Sequence, residues 1–230
     1  MNTAMKIAIV GAESTGKTAL AQALAPRIAE LTGQRCTWVP EHLRHWCDAM
    51  GRTPRREEQA AIAASQQKAI DAAARTHDVV LCDSTALMVA TYSRHVFDDA
   101  SLMPAALAWH HTYATTLLMA LDLPWVADGL QREGEHVRAP IDAMLREQMV
   151  VHGLPWSVIS GQGPARADNA LDALAPLLRQ HLPASPQHRG LFSRLAQRNA
   201  QASAARWTCE SCDDPDCEHR EQARRRGAAR

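Results

Sequence analysis

A phosphate-binding loop near the N-terminus is predicted from the spacing of two glycines, a lysine and a threonine. The segment GAESTGKT fits the pattern G-x-x-x-x-G-K-[ST], follows the apolar run 7–10 and precedes a helix-forming sequence. Glycines let the backbone turn so that successive N–H groups point into one concavity. The predicted nucleotide-binding residues are Gly11, Ala12, Glu13, Ser14, Thr15, Gly16, Lys17 and Thr18.

Within this loop, Lys17 and Thr18 have the residue types that binding of ATP and Mg²⁺ requires. Lys17 is expected to reach the β- and γ-phosphates, and Thr18 is expected to bind Mg²⁺ through its hydroxyl. Lysine is rare in this chain, with three lysines among 25 basic residues. A lysine at position 17 therefore indicates a confined site that needs a compact point charge.

Two carboxylates follow apolar strands and are candidates for the chemistry. Asp83 ends the run VVLC, where a Walker-B acid would hold Mg²⁺, although a strand-terminal Asp also commonly caps the next helix. Glu41 follows the predicted strand 36–39 and is a candidate general base, because ligands bind beyond the carboxyl ends of parallel strands. The alternative for Glu41 is a solvated carboxylate at a helix N-terminus.

A polar segment, 126–138, interrupts the apolar pattern and suits a lid that closes over phosphates. Arg132 and Arg138 would then neutralise charge on the transferring phosphoryl group. The alternative is a solvated loop whose charges pair only locally.

The elements needed to position these residues are five short apolar strands that alternate with helices. Strands are predicted at 7–10, 36–39, 78–82, 116–121 and 156–160, and 54–75 is predicted as one long helix. This order predicts a three-layer α/β P-loop NTPase fold with a five-stranded parallel sheet. The predicted domain covers residues 1–182, and residues 183–230 form a linker helix and a small Cys/His extension.

The extension contains four potential metal ligands in the spacing C-x₂-C-x₄-C-x-H. These residues are Cys209, Cys212, Cys217 and His219, and they predict a Zn²⁺ site. The close final pair strains a single tetrahedral site, so a site completed by another chain, three cysteines with water, and an unmetallated tail stay open. A protein partner or self-association through this tail is also a hypothesis.

Composition excludes several classes of function. The formal net charge is zero, so attraction to nucleic acid or membrane is not a global property of the chain. Apolar runs fall well short of the roughly 20 residues of a membrane span, and the N-terminus lacks a signal-peptide pattern. We therefore expect a cytoplasmic protein.

Four segments together resemble the ribosylnicotinamide kinase domain of the NadR family, a P-loop kinase-like module also known as an AAA-type ATPase domain. They are GAESTGKT, VPEHLR, CDST and LDLPWVADGLQREGEHVR, and the similarity covers about 5–182. The resemblance implies ATP- and Mg²⁺-dependent phosphorylation of the 5′-hydroxyl of nicotinamide riboside, a step of NAD salvage. Longer members carry an adenylyltransferase domain with an HxGH-type motif, which this sequence lacks, so adenylyltransfer is not expected.

Residue by residue, the resemblance assigns Gly11, Gly16, Lys17 and Thr18 to ATP and Mg²⁺, and it places Asp83 near metal and nucleophile. Arg132 and Arg138 match basic lid positions, and Glu41 is similar in place to the carboxylate that accepts the hydroxyl proton. The alternative function is a regulatory ATP-binding protein or ATPase that acts through its Cys/His tail.

Overall fold

The computed structural model describes residues 4–127 and 133–181, and the structural statements below concern those ranges. The strands are β1 (Met5–Val10), β2 (Cys36–Val39), β3 (Val79–Asp83), β4 (Thr115–Met119) and β5 (Trp156–Ile159). The helices are α1 (Lys17–Thr32), α2 (His42–Met50), α3 (Gln59–Ala74), α4 (Ala86–Phe97), α5 (Met103–His110), α6 (Arg138–Val151) and α7 (Gly163–His181). Short 3₁₀ turns at Arg56–Glu58 and Glu135–Val137 precede α3 and α6.

All five strands are parallel and lie in the order β2-β3-β1-β4-β5, so β1 is at the centre. Side chains alternate between the two faces of β1: Ala8 and Val10 pack in the core that α3 to α6 cover. Ile7 and Ile9 are also fully buried but lie outside that core cluster. Helices α1 and α7 contact each other, and α1 also contacts β1, β2 and β3. The predicted three-layer α/β fold with a five-stranded parallel sheet is confirmed.

Several element boundaries differ from the prediction for identifiable reasons. The predicted helix 54–75 begins with a 3₁₀ turn, where the Glu58 carboxylate accepts the N–H of Arg55 at 2.7 Å and fixes the turn before α3. Helix α2 was not delimited from the sequence; it ends at Met50 and is capped by Gly51, whose φ of 66° is left-handed. Strand β4 ends two residues earlier than predicted.

None of the helices in the described ranges combines the length and hydropathy that a bilayer crossing requires. Residues 182–230 lie outside the described residues, and with them the predicted zinc ligands Cys209, Cys212, Cys217 and His219.

Candidate active site

The loop between β1 and α1 has backbone conformations that its two glycines make accessible. Gly11 has a φ of 150°, and a Cβ added there would lie 2.9 Å from the Cβ of Met119 on β4. Gly16 has a left-handed φ of 80°. A side chain at Gly11 would push the loop away from the sheet, so the glycine is required by a close approach as well as by its φ.

Lys17 is the first residue of α1, and its ammonium group turns back over the loop. Nζ donates hydrogen bonds to the carbonyl oxygens of Gly11 at 2.9 Å and Ala12 at 3.0 Å. The Thr15 hydroxyl donates to the same Ala12 carbonyl at 2.8 Å. The first turn of α1 contains no acidic residue, so its free N–H groups and positive dipole end can receive an anion.

Thr18 and Asp83 meet at the carboxyl end of the sheet. The Thr18 hydroxyl donates a 2.6 Å hydrogen bond to Oδ2 of Asp83. Strand pairing places Asp83 beside Ile9, which brings the end of β3 next to the loop. Asp83 is 1% exposed, and its Oδ1 has no hydrogen-bond partner among the described residues.

Burial raises the pKa of Asp83, the hydrogen bond from Thr18 opposes that shift, and the negative charge of Glu41 adds to it. A bound cation would reverse this situation, because it stabilises the ionised carboxylate. The alternative role of Asp83 as a helix cap does not fit, since the N-cap residue of α4 is Thr85.

The hydroxyl of Thr18 and the carboxylate of Asp83 fit a Mg²⁺ ion, which prefers oxygen ligands. Such an ion commonly takes one or two protein ligands and completes its shell with phosphate oxygens and water. Across 4–127 and 133–181, no group of three or more His, Cys, Asp and Glu side chains could hold a metal by itself. A cation here would therefore take the rest of its ligands from phosphate oxygens and water.

A cleft of 660 Å³ extends from the phosphate-binding loop to α2, the start of α3 and α4. One wall is apolar and consists of side chains of α4, including its last residue. These residues are Met88, Val89, Tyr92, Val96 and Phe97. The cleft is large enough for a nucleoside beside the loop, and its apolar wall suits a flat ring.

Glu41 lines the same cleft, at the N-cap position of α2. Its carboxylate makes no capping hydrogen bond to that helix. The structure thus places Glu41 in one cleft with Lys17 and Thr18, and near enough to Asp83 to influence its pKa.

Arginines also line the cleft, and two of them are held by carboxylates. Arg52 donates to both oxygens of Glu58, at 2.7 and 2.8 Å, and lies 5.0 Å from the ring centre of Trp46. Arg56 donates to Asp99 at 2.9 Å. These pairs offset part of the positive charge at this end of the cleft.

Glu13 has a structural role that the sequence did not predict. Its carboxylate is 6% exposed and accepts the indole N–H of Trp125 at 3.1 Å. It also accepts the backbone N–H groups of Glu133 at 2.6 Å and Gly134 at 3.3 Å. A residue of the phosphate-binding loop therefore bonds Trp125, which precedes the segment predicted to be a lid, and two residues within that segment.

The two predicted lid arginines have different outcomes. Arg132 lies outside the described residues. Arg138 begins α6, is 6% exposed and donates to the carbonyl of Leu123 at 2.7 Å. Arg138 belongs to α6 instead of the predicted loop and does not line the cleft, and its role in charge stabilisation stays a prediction.

Arg166, at the start of α7, was also missed. It is 4% exposed and donates to the carbonyl of Thr15 in the phosphate-binding loop, to the carbonyl of Gly161 at 2.5 Å, and to the carboxylate of Asp122. Asp122 in turn accepts the N–H of Gly161 at 2.6 Å. One guanidinium thus joins the loop to the turn after β5.

Comparison with known proteins identifies the family. The family described as AAA domain matches residues 6–166. Comparison with curated protein sequences gave no match. Among solved structures, the chain is similar to NadR in complex with NR, with a TM-score of 0.66 and 18% identity over 79% of this chain and 54% of that one.

NadR in complex with NAD and AMP-PNP is similar as well, with a TM-score of 0.62 and 19% identity over 76% of this chain and 49% of that chain. The chain therefore spans about half the length of these NadR chains. Deoxyadenosine kinase from M. mycoides aligns with a TM-score of 0.53 and 13% identity, over 75% of this chain and 100% of that one. The fold is that of a P-loop kinase-like domain, and the chain belongs to the AAA domain family.

Proposed function

We propose that this protein is an ATP-dependent kinase that phosphorylates the 5′-hydroxyl of a nucleoside, with nicotinamide riboside as the first candidate. The observation that carries the proposal is the hydrogen bond between Thr18 and Asp83 at the end of the sheet. It brings together two oxygen ligands suited to Mg²⁺ beside the phosphate-binding loop, and Thr18 lines the cleft that extends from this loop to Glu41.

The loop residues would bind and orient the phosphates of ATP. The N–H groups at the start of α1 donate to the phosphates, and Lys17 exchanges its contacts with Gly11 and Ala12 for phosphate oxygens. When bound, ATP with Mg²⁺ supplies the transferable phosphoryl group and part of the charge that neutralises it. Thr18 and Asp83 would hold the cation, and Asp83 would stay ionised because of it.

Glu41 is proposed as the general base. Its carboxylate lines the cleft and is not used to cap α2, so it can accept the proton of the attacking hydroxyl. Charge stabilisation by Arg132 and Arg138 stays part of the proposal. For Arg138 it requires release of the Leu123 carbonyl.

The acceptor end of the cleft supports a nucleoside with a flat ring against α4. The fold likeness to NadR bound to NR supports nicotinamide riboside as that nucleoside. Because arginines line this end of the cleft, the carboxylate analogue of nicotinamide riboside belongs in the same test.

The test is mass detection of phosphorylated product from purified protein, ATP and Mg²⁺ across a panel of nucleosides. The panel contains nicotinamide riboside, its carboxylate analogue, adenosine and cytidine. Product from nicotinamide riboside well above the others would support the full proposal. Preference for another nucleoside would refute the acceptor, and ATP hydrolysis without any phosphorylated nucleoside would favour the regulatory ATPase.

Three further proposals rest on the sequence alone. They are a cytoplasmic location, Zn²⁺ binding by Cys209, Cys212, Cys217 and His219, and a partner or self-association through that tail. The zinc proposal is tested by metal analysis of the purified full chain and of a variant in which Cys209, Cys212 and Cys217 are replaced by serine. Equal zinc content in the two proteins would refute it.

A further inference from the structure

The N-terminus of α2 is capped by a residue from another helix. The first N–H groups of a helix lack partners within it, and the N-cap side chain usually supplies one. Glu41 is the N-cap residue of α2 but its carboxylate does not do so. Instead, the side-chain oxygen of Gln66 on α3 accepts the N–H of His42, the first residue of α2, at 2.6 Å.

The other end of the same amide contacts the chain on the opposite side of Glu41. Nε2 of Gln66 donates to the carbonyl of Pro40 at 3.3 Å. One side chain therefore bonds the residue before and the residue after Glu41. Gln66 is 2% exposed and lies where α2 and α3 pack, so its amide has little freedom to turn.

We propose that Gln66 is the positioning residue for Glu41. It fixes the backbone on both sides of Glu41 and takes over the capping of α2, which leaves the Glu41 carboxylate directed to the cleft. Positioning residues of this kind maintain the geometry of a reacting group through their own hydrogen bonds. This inference rests on the proposed function, in which Glu41 accepts the hydroxyl proton.

The role needs both a donor and an acceptor at one position. Methionine at position 66 keeps the approximate volume of glutamine and removes both hydrogen bonds. The neighbouring Gln67 offers a matched control, since it is 4% exposed on the same helix and also makes two side-chain bonds. It donates to Asp71 at 2.8 Å and accepts the hydroxyl of Tyr113 at 3.3 Å, so its partners lie away from Glu41.

Kinetics of Gln66→Met, Gln67→Met, Glu41→Gln and the double variant Gln66→Met/Glu41→Gln test the inference. Because small misplacements of a reacting group slow catalysis strongly, Gln66→Met is expected to lower kcat by about 10- to 100-fold with the KM for ATP unchanged. Gln67→Met should stay within about threefold of wild type. In the Glu41→Gln background, Gln66→Met should cost less than about twofold more. A Gln66→Met variant with wild-type kcat, or fully additive losses, would overturn the inference.

Amide hydrogen exchange gives a second readout that does not depend on activity. Gln66→Met should speed exchange of the His42 amide by about tenfold or more, and Gln67→Met should leave it unchanged. Unchanged exchange in Gln66→Met would overturn the inference even if activity fell. A wild-type protein that phosphorylates no nucleoside would refute the proposed function, and His42 exchange would still decide whether Gln66 holds this segment.

Discussion

The hydroxyl of Thr18 and the carboxylate of Asp83 are hydrogen-bonded at 2.6 Å across 65 positions of sequence. The contact joins the start of α1 to the end of β3. It buries the carboxylate almost completely, with Oδ1 left without a hydrogen-bond partner in the described chain. Such an arrangement costs free energy in the nucleotide-free protein and is typical of a group kept for function.

Asp83→Asn should therefore stabilise the nucleotide-free protein. Burial raises the pKa of Asp83 above its value in the unfolded chain. At neutral pH the ionised carboxylate is therefore less favourable in the folded protein than in the unfolded chain, and it lowers the free energy of unfolding. Asparagine keeps the shape and the acceptor for Thr18 without the charge, so the free energy of unfolding at neutral pH should rise by about 1 kcal/mol. Urea unfolding measures this change, and a clear loss of stability would contradict the account.

Glu13→Gln should loosen the segment that Glu13 fastens. The carboxylate accepts from Trp125, Glu133 and Gly134, and an amide offers a single acceptor oxygen with a donor in place of the second. We expect amide exchange at Glu133 and Gly134 to accelerate by about tenfold. Exchange at the amide of His152, the C-cap residue of α6, provides the internal control, because this amide donates to the carbonyl of Gln148 and does not contact Glu13. Unchanged rates at Glu133 and Gly134 would show that Glu13 does not hold them.

Arg166→Lys should destabilise the fold despite keeping the positive charge. A lysine cannot reach Thr15, Gly161 and Asp122 with the planar fork that arginine provides, so buried acceptors lose their donors. The expected loss in unfolding free energy is about 3 kcal/mol. Arg27→Lys is the matched control, because Arg27 also binds a carboxylate of α7, Asp168, at 2.5 Å on the surface. It should cost less than about 1 kcal/mol; equal losses would contradict the role of Arg166.

Stability should fall as the pH drops below about 6.5, in part because of His110. Its ring is 2% exposed, Nε2 lies 2.8 Å from the Thr116 hydroxyl, and Nδ1 has no partner among the described residues. Burial, with a contribution from the charge of His111, lowers the pKa of His110 to about 4. As the pH falls, the His110 ring is therefore protonated in the unfolded chain before it is protonated in the folded protein. The resulting loss of unfolding free energy occurs between about pH 6.5 and 4.

The variant His110→Gln isolates this contribution. Between about pH 7.5 and 5 it should lose roughly 2 kcal/mol less unfolding free energy than wild type does. Urea unfolding of each protein at the two pH values gives its loss of unfolding free energy. The comparison of these two losses does not require that the proteins have the same stability at the higher pH. Identical pH dependence in the two proteins would assign the loss to other groups.

Local sequence was sufficient for the parts of the site that a strand, a turn and a helix build in succession. The spacing of Gly11 to Lys17 predicted the loop, and the position of Asp83 after an apolar strand predicted its place at the sheet edge. Both predictions used only neighbours along the chain and the common direction of parallel strands.

The supporting contacts could not be predicted in this way. Gln66 acts on Glu41 from another helix, and Arg166 reaches Thr15 across 151 positions of sequence. A buried glutamine in an Ala- and Gln-rich helix and an arginine after a turn have no pattern that gives their partners. Packing decides them, as it decides that the buried Arg138 donates to the Leu123 carbonyl at the start of α6.

Kinase activity is tested most simply by comparing wild-type protein with Lys17→Ala and Asp83→Asn, each given ATP, Mg²⁺ and nicotinamide riboside. We expect a phosphorylated riboside from wild type and a rate lower by a factor on the order of 100 to 1000 in each variant. Chelation of Mg²⁺ should abolish product formation by the wild-type protein. Equal rates in all three proteins, or ATP hydrolysis by wild type without phosphorylated riboside, would contradict the proposed function.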